Sequence, residues 1–105
     1  MSEAIVLVVT TFASELEASD VVGQLMQERL VACAQIEGRV RSVYRWKGEV
    51  QDEEEVRVTF KLPREVLDRL RERLEFLHPY EVPEIVVLEA AAAEPYARWV
   101  RESCS

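Results

Sequence analysis

Residues Arg39 to Lys61 read RVRSVYRWKGEVQDEEEVRVTFK, and the pairing within this stretch decides the fold. Ahead of Gly48, Val40, Ser42, Tyr44 and Trp46 alternate with Arg39, Arg41, Arg45 and Lys47, with Val43 out of phase. Beyond it, Val50, Val56, Val58 and Phe60 again take even positions. A period of two is the signature of paired strands with one buried face. A two-residue turn at Lys47-Gly48 would set Trp46 opposite Glu49 and place the apolar sets of the two arms on opposite faces. A three-residue loop, Lys47-Gly48-Glu49, with Gly48 left-handed, instead pairs Trp46 with Val50 and Val40 with Val56. That register keeps a single apolar face and is the one expected.

The hairpin is long for its domain. At about 3.3 Å per residue its second arm reaches roughly 35 Å, whereas a chain of this size has a radius of gyration near 13 Å. An overhanging ribbon carrying Tyr44, Trp46 and Val50 exposes apolar surface and unpaired strand edges, which proteins commonly cover with a partner subunit. A closed homo-oligomer built by strand pairing is expected; the alternative covers Tyr44 and Trp46 within one subunit.

The 105 residues allow one domain, 1–105, with a modest core. Thirteen basic and twenty acidic residues give a net charge of −7 without a basic block, which argues against nucleic acid or an anionic membrane surface as partner. The opening MSEAIVLVVTTF lacks a basic n-region and a small-residue cleavage site, so it reads as a buried strand rather than a signal peptide. No apolar run approaches membrane-spanning length. Cys33 and Cys104 lack CxxC or Cys/His spacing, so neither a zinc ribbon nor a disulfide framework is indicated and a reducing, cytoplasmic setting is expected.

Along the chain, Ala4–Thr11 is a central strand, and Ser14-Glu15-Leu16-Glu17 has the form of a capping box opening a helix that runs to about Leu30. Leu16, Val21, Leu25, Met26 and Leu30 are placed on its inner face, with Met26 filling core. Leu30–Ile36 is a second apolar strand, in which Cys33 reads as a small buried hydrophobe. Glu37-Gly38 bends the chain into the hairpin. Asp52–Glu55 is a solvated face that Arg39, Arg41 and Arg45 can screen across the strands; it lacks the glycine-turned loop of a calcium site. Pro63 opens a second helix, to about Leu77, with Val66, Leu67, Leu70, Leu74 and Leu77 inward. Glu84–Leu88 is a last strand, and Pro95 opens a C-terminal helix whose Tyr96, Trp99 and Val100 share a face. This order, βαββαβ plus a terminal helix, gives an α+β ferredoxin-like sandwich with helices on one side of an antiparallel sheet.

One stretch looks chemical. Leu77-His78-Pro79-Tyr80-Glu81-Val82-Pro83-Glu84 gathers two prolines, the sole histidine, a tyrosine and two carboxylates into a stiffened loop. One reading is a metal or small-ligand site, because imidazole is a common ligand for divalent transition metals and carboxylates complete a borderline set. The other is a helix cap, the histidine donating to the last carbonyls. Lys61 holds an anion beside the Pro63 helix start or serves as an edge lysine. A nucleophile elbow and Gly-rich phosphate loops are absent from the sequence.

ERLVACAQI (Glu28–Ile36), SVYRWKGEV (Ser42–Val50), the Lys61 strand end, LHPYEVPEI (Leu77–Ile85) and YARW (Tyr96–Trp99) resemble, in order and spacing, the CutA divalent-cation tolerance proteins. The resemblance implies a ferredoxin-like subunit, a homotrimer in which the long hairpin pairs with its neighbours, a cytoplasmic location, copper or other divalent-cation binding, and no catalysed reaction. Some members carry a cysteine and a second histidine, proposed copper ligands, where this chain has Thr10 and Leu77; the resemblance then leaves His78, with Glu84, as metal contacts. The usual asparagine of the second strand is Gln35 and the usual proline of the last strand is Glu89. The plan is also similar to P-II-type signalling proteins, which implies as alternatives an intersubunit cleft lined by Trp46, Lys61, Tyr80 and Glu84 for a small anionic or zwitterionic ligand, or a purely structural assembly module.

Overall fold

The computed structural model describes residues 2–105. They form β1 (Ser2–Phe12), α1 (Glu15–Gln27), β2 (Cys33–Trp46), β3 (Glu49–Leu62), a single 3-10 turn (Arg64–Val66), α2 (Leu67–Leu77), β4 (Val86–Ala93) and α3 (Glu94–Ser103). The strands make one antiparallel sheet in the order β2-β3-β1-β4. Together with the two crossover helices this is the α+β ferredoxin-like sandwich expected. The molecule is elongated, 46 × 26 × 22 Å.

The core follows from strand alternation. Val6, Val8, Thr10 and Phe12 of β1 stand opposite Leu62, Phe60, Val58 and Val56 of β3, cross-strand partners share a face, and all eight are buried. Ala18, Val21 and Leu25 of α1 and Leu70 and Leu74 of α2 close this face. Ser14 caps α1, its hydroxyl accepting the Glu17 N–H at 3.2 Å, which leaves a first-turn donor satisfied. Two residues assigned inward are not. Leu16 lies 72% exposed and Met26 is also exposed. At about 100° per residue the buried stripe centred on Ala18, Val21 and Leu25 leaves Leu16 nearly opposite and Met26 on its rim. The helix also stops at Gln27, short of Leu30, because Arg29 turns left-handed (φ 61°). The second strand therefore starts at Cys33, and the last strand runs Val86–Ala93 rather than Glu84–Leu88.

The hairpin corrects the expected register. Trp46 pairs with Glu49 and Val40 with Glu55. The connection is the two-residue turn Lys47-Gly48, both residues at positive φ (52° and 83°), the geometry that matches strand twist in tight hairpins. Parity is changed farther down by a bulge: between Ile36↔Val58 and Arg39↔Val56, Glu37 and Gly38 oppose Arg57 alone, with Gly38 at φ 82°. Ile36 thus shares the core side with Val58, whereas Val40, Ser42, Tyr44 and Trp46 stand on the open side of the sheet.

The consequence is a ribbon with exposed apolar residues on both faces. β1 ends at Phe12, opposite Val56, so Glu49–Glu55 project beyond it for about 23 Å at 3.3 Å per residue. On the core side of this overhang Val43 and Val50 are 62% and 61% exposed; on the open side Tyr44 and Trp46 are 39% and 37% exposed. Cross-strand charges steady it: Arg41 makes two bonds to Asp52 (2.8 and 2.6 Å) and Arg39 meets Glu54 at 3.2 Å. Arg45, opposite Val50, joins no ion pair among the described residues.

Candidate functional site

The HPY loop is built around the end of α2. The His78 N–H still donates to the Leu74 carbonyl at 2.9 Å, but its backbone is already extended (φ −70°, ψ 131°), as a residue before proline prefers. The ring consequently leaves the helix and enters the sandwich, 6% exposed. Nε2 lies 2.8 Å from the Thr11 carbonyl and 3.1 Å from Thr10 Oγ1. A carbonyl only accepts, so Nε2 carries the proton; Nδ1 is then the lone-pair nitrogen, and it accepts the Tyr80 N–H at 3.2 Å. Phe12 stacks on the ring at 4.5 Å and 10°, and Tyr80 leans on it at 4.8 Å. Burial depresses the imidazole pKa below its ordinary value, with the Thr11 bond and the Glu17 and Glu55 charges opposing. The side chain does not cap α2, one of the two readings of the sequence; it ties the loop to β1.

Tyr80 extends the connection. Its hydroxyl donates to Glu55 Oε2 at 2.8 Å, where Glu55 is nearly buried. Burial first, and then the bond to that carboxylate, push the phenol well above its ordinary pKa. Next along β3, Tyr44 donates to Glu53 at 2.5 Å. Beside the loop, Arg71, Glu75, Tyr80, Val82, Pro83 and Val87 line an open groove of roughly 630 Å3.

The residues singled out from sequence fall in three places. His78 and Tyr80 are together; Glu84 is on the exposed exit of the same loop. Lys61 lies opposite Leu7 and Cys33, its Nζ 5.6 Å from the Tyr96 ring centre. Trp46 is at the hairpin tip, covered by Lys47 Nζ at 5.6 Å. Twelve residue-to-residue steps of strand separate Glu49, opposite Trp46, from Lys61, about 40 Å at strand rise. Within one chain Trp46 and Lys61 cannot line one cleft. Thr10, Thr11, Phe12 and Glu55 are the partners that sequence reading missed; the signal for them was the pair of threonines closing an otherwise apolar strand.

The donor set does not suit a divalent cation within one chain. Both nitrogens of His78 are engaged, Thr10 offers a hydroxyl, and no group of three or more His, Cys, Asp or Glu side chains converges among the described residues. Elsewhere, Glu89 of β4 pairs with Arg64, and Arg101 of α3 with Glu3.

Comparison with known proteins gives this architecture its family. The model of the CutA1 divalent ion tolerance protein family matches residues 6–103. The chain belongs to the CutA1 family. It is 40% identical over 98 residues to the divalent-cation tolerance protein CutA of Thermus thermophilus, covering 92% of this chain and 95% of that one. It is 30% identical over 93 residues to human Protein CutA, covering 88% of this chain and 52% of the human protein. Among solved structures, CutA from Synechococcus elongatus superposes with a TM-score of 0.94 at 34% identity, covering 100% of this chain and 95% of that one. The Archaeoglobus fulgidus CutA, described as periplasmic, shares the fold (TM-score 0.91, 22% identity, 96% and 99% covered). No helix among the described residues is long and apolar enough to cross a membrane.

Proposed function

We propose that this CutA1-family chain acts in divalent-cation tolerance as a homotrimer that catalyses no reaction, with copper or a related cation held between subunits. The observation that carries this reading is the overhanging ribbon, apolar on both faces through Val43 and Val50 on one and Tyr44 and Trp46 on the other. Apolar side chains exposed on both sides of a ribbon mark a surface that proteins commonly cover with a partner. The outer edge of β4 and the open side of the sheet carry Val86 and Leu88, which are exposed as well. The projecting ribbon and these acceptor surfaces are different parts of the chain. Head-to-tail contact between them generates a ring where the rotation closes, and three is the ring size the family resemblance implies.

Assembly also bears on the cation. With no ligand cluster among the described residues of one chain, ligands for a cation would come together where subunits meet, and a net charge of −7 per chain attracts cations to that surface. A cytoplasmic setting rests on the unpaired Cys33 and Cys104. The test is titration of the purified protein with Cu(II) and Zn(II) beside Tyr44→Asn/Trp46→Asn, with masses measured at the same concentration. Saturable binding by the wild type that disappears as the variant dissociates supports the reading. Equal binding by the dissociated variant, or none by the assembled protein, overturns it.

A further inference from the structure

We infer that His78 is a positioning residue that pins the Pro79–Pro83 loop to the end of β1, and that it is not a ligand for divalent cations. Every bonding site of the imidazole is spent on the protein. Nε2–H is committed to the Thr11 carbonyl at 2.8 Å, with the Thr10 hydroxyl 3.1 Å away, and the Nδ1 lone pair is committed to the Tyr80 N–H at 3.2 Å. A metal ligand needs a free lone pair. Coordination through Nδ1 would displace the Tyr80 N–H; coordination through Nε2 would remove the proton that satisfies a buried carbonyl. Phe12 and Tyr80 cover the ring, so rotation toward solvent would break the Phe12 stack and the tilted Tyr80 contact as well. A cation would also find no three-ligand cluster there among the described residues.

What the histidine does instead is visible in the chain it holds. The Nδ1 bond to an N–H two residues on has the shape of an Asx turn, and it fixes the backbone of Tyr80. That residue's hydroxyl then meets Glu55 at 2.8 Å, close to the point where β3 leaves the cover of β1. The loop, the end of β1 and the root of the overhang are thereby fastened together, His78 holding the first two and Tyr80, whose backbone it fixes, reaching the third.

The chain has a single histidine, so long-range proton–nitrogen NMR of the imidazole reads this site without ambiguity. The expected spectrum is that of the neutral Nε2–H tautomer, unchanged when Zn(II) is added to saturation. An Nδ1–H tautomer, or a shift of either ring nitrogen on adding Zn(II), overturns the inference. In parallel, His78→Asn keeps an acceptor for the Tyr80 N–H while removing the imidazole. Its Zn(II) and Cu(II) dissociation constants are expected within about twofold of wild type, whereas even outer-shell partners of a metal contribute about 10- to 100-fold. A tenfold or greater weakening refutes the claim. His78→Ala is expected to melt below both the wild type and His78→Asn; if Asn restores nothing relative to Ala, the positioning role is refuted. Should the Ala variant fail to fold, the wild-type spectrum still decides the metal question.

Discussion

The bulge at Gly38 sets which way the hairpin faces, and two glycine substitutions test it against each other. Gly38 and Gly23 both have open space where a Cβ would go, with nothing within 4 Å. Alanine at either position therefore meets no steric obstacle, and only backbone conformation separates them. Gly38 sits at φ 82°. Forcing a Cβ into the left-handed region costs roughly 1–2 kcal/mol, so Gly38→Ala is expected to destabilise by that amount. Gly23 lies on the exposed side of α1 in ordinary helical geometry. Replacing a mid-helix glycine with alanine stabilises by about 1 kcal/mol. The same substitution should thus move stability in opposite directions, with a gap of about 2–3 kcal/mol between the variants. Guanidinium unfolding at one fixed protein concentration measures both, the concentration being held because the proposed assembly would make apparent stability concentration-dependent. Gly38→Asn should recover part of the loss, since asparagine tolerates positive φ. A Gly38→Ala protein as stable as wild type would refute the bulge geometry and the face assignment that depends on it.

Two further perturbations have expected signs. Arg73 makes two bonds to Glu28 (2.8 and 2.7 Å), joining α2 to the end of α1; that guanidinium, and then Gln24, hold the Glu28 carboxyl down from 4.5 to about 2. The folded pKa is depressed, so this stabilisation is complete above pH 4.5 and is lost as the pH falls from there toward 2; Arg73→Met should flatten that part of the acid unfolding profile relative to wild type, and identical profiles would contradict the assignment. Ser14→Ala removes the α1 cap and should cost about 1 kcal/mol in denaturant unfolding, whereas Ser14→Asp should retain most of it.

The sequence made the sandwich readable because its strands and helices carry their own signals. Alternation located β3 down to Phe60, the Ser14 cap located α1, and Leu70 and Leu74 marked the buried stripe of α2. The register failed for a specific reason. Counting even positions along both arms assumes an uninterrupted ladder, and Gly38 inserts one residue that reverses parity below the turn. A glycine inside a run of strand residues is itself a sign of a bulge, and reading Glu37-Gly38 as a simple bend lost that information. Leu16 and Met26 were misplaced because a few apolar residues near a face do not define its centre. The surroundings of His78 were beyond local reading altogether: Thr10 and Thr11 are 68 and 67 positions away in sequence, and only the fold brings them to the ring. Trp46 and Lys61 illustrate the converse, since two residues of one hairpin, the first on β2 and the second on β3, end up at opposite ends of the ribbon.

Assembly is the central claim, because it is the reading that accounts together for the exposed ribbon, the open edge of β4 and the lack of a ligand cluster among the described residues of one chain. Sedimentation equilibrium of the wild-type protein across a hundredfold range of concentration tests it most directly. Three chains of 12.1 kDa predict a single species near 36 kDa that persists on dilution. A mass that stays at 12.1 kDa throughout, with Tyr44 and Trp46 open to solvent in a stable monomer, would contradict the account.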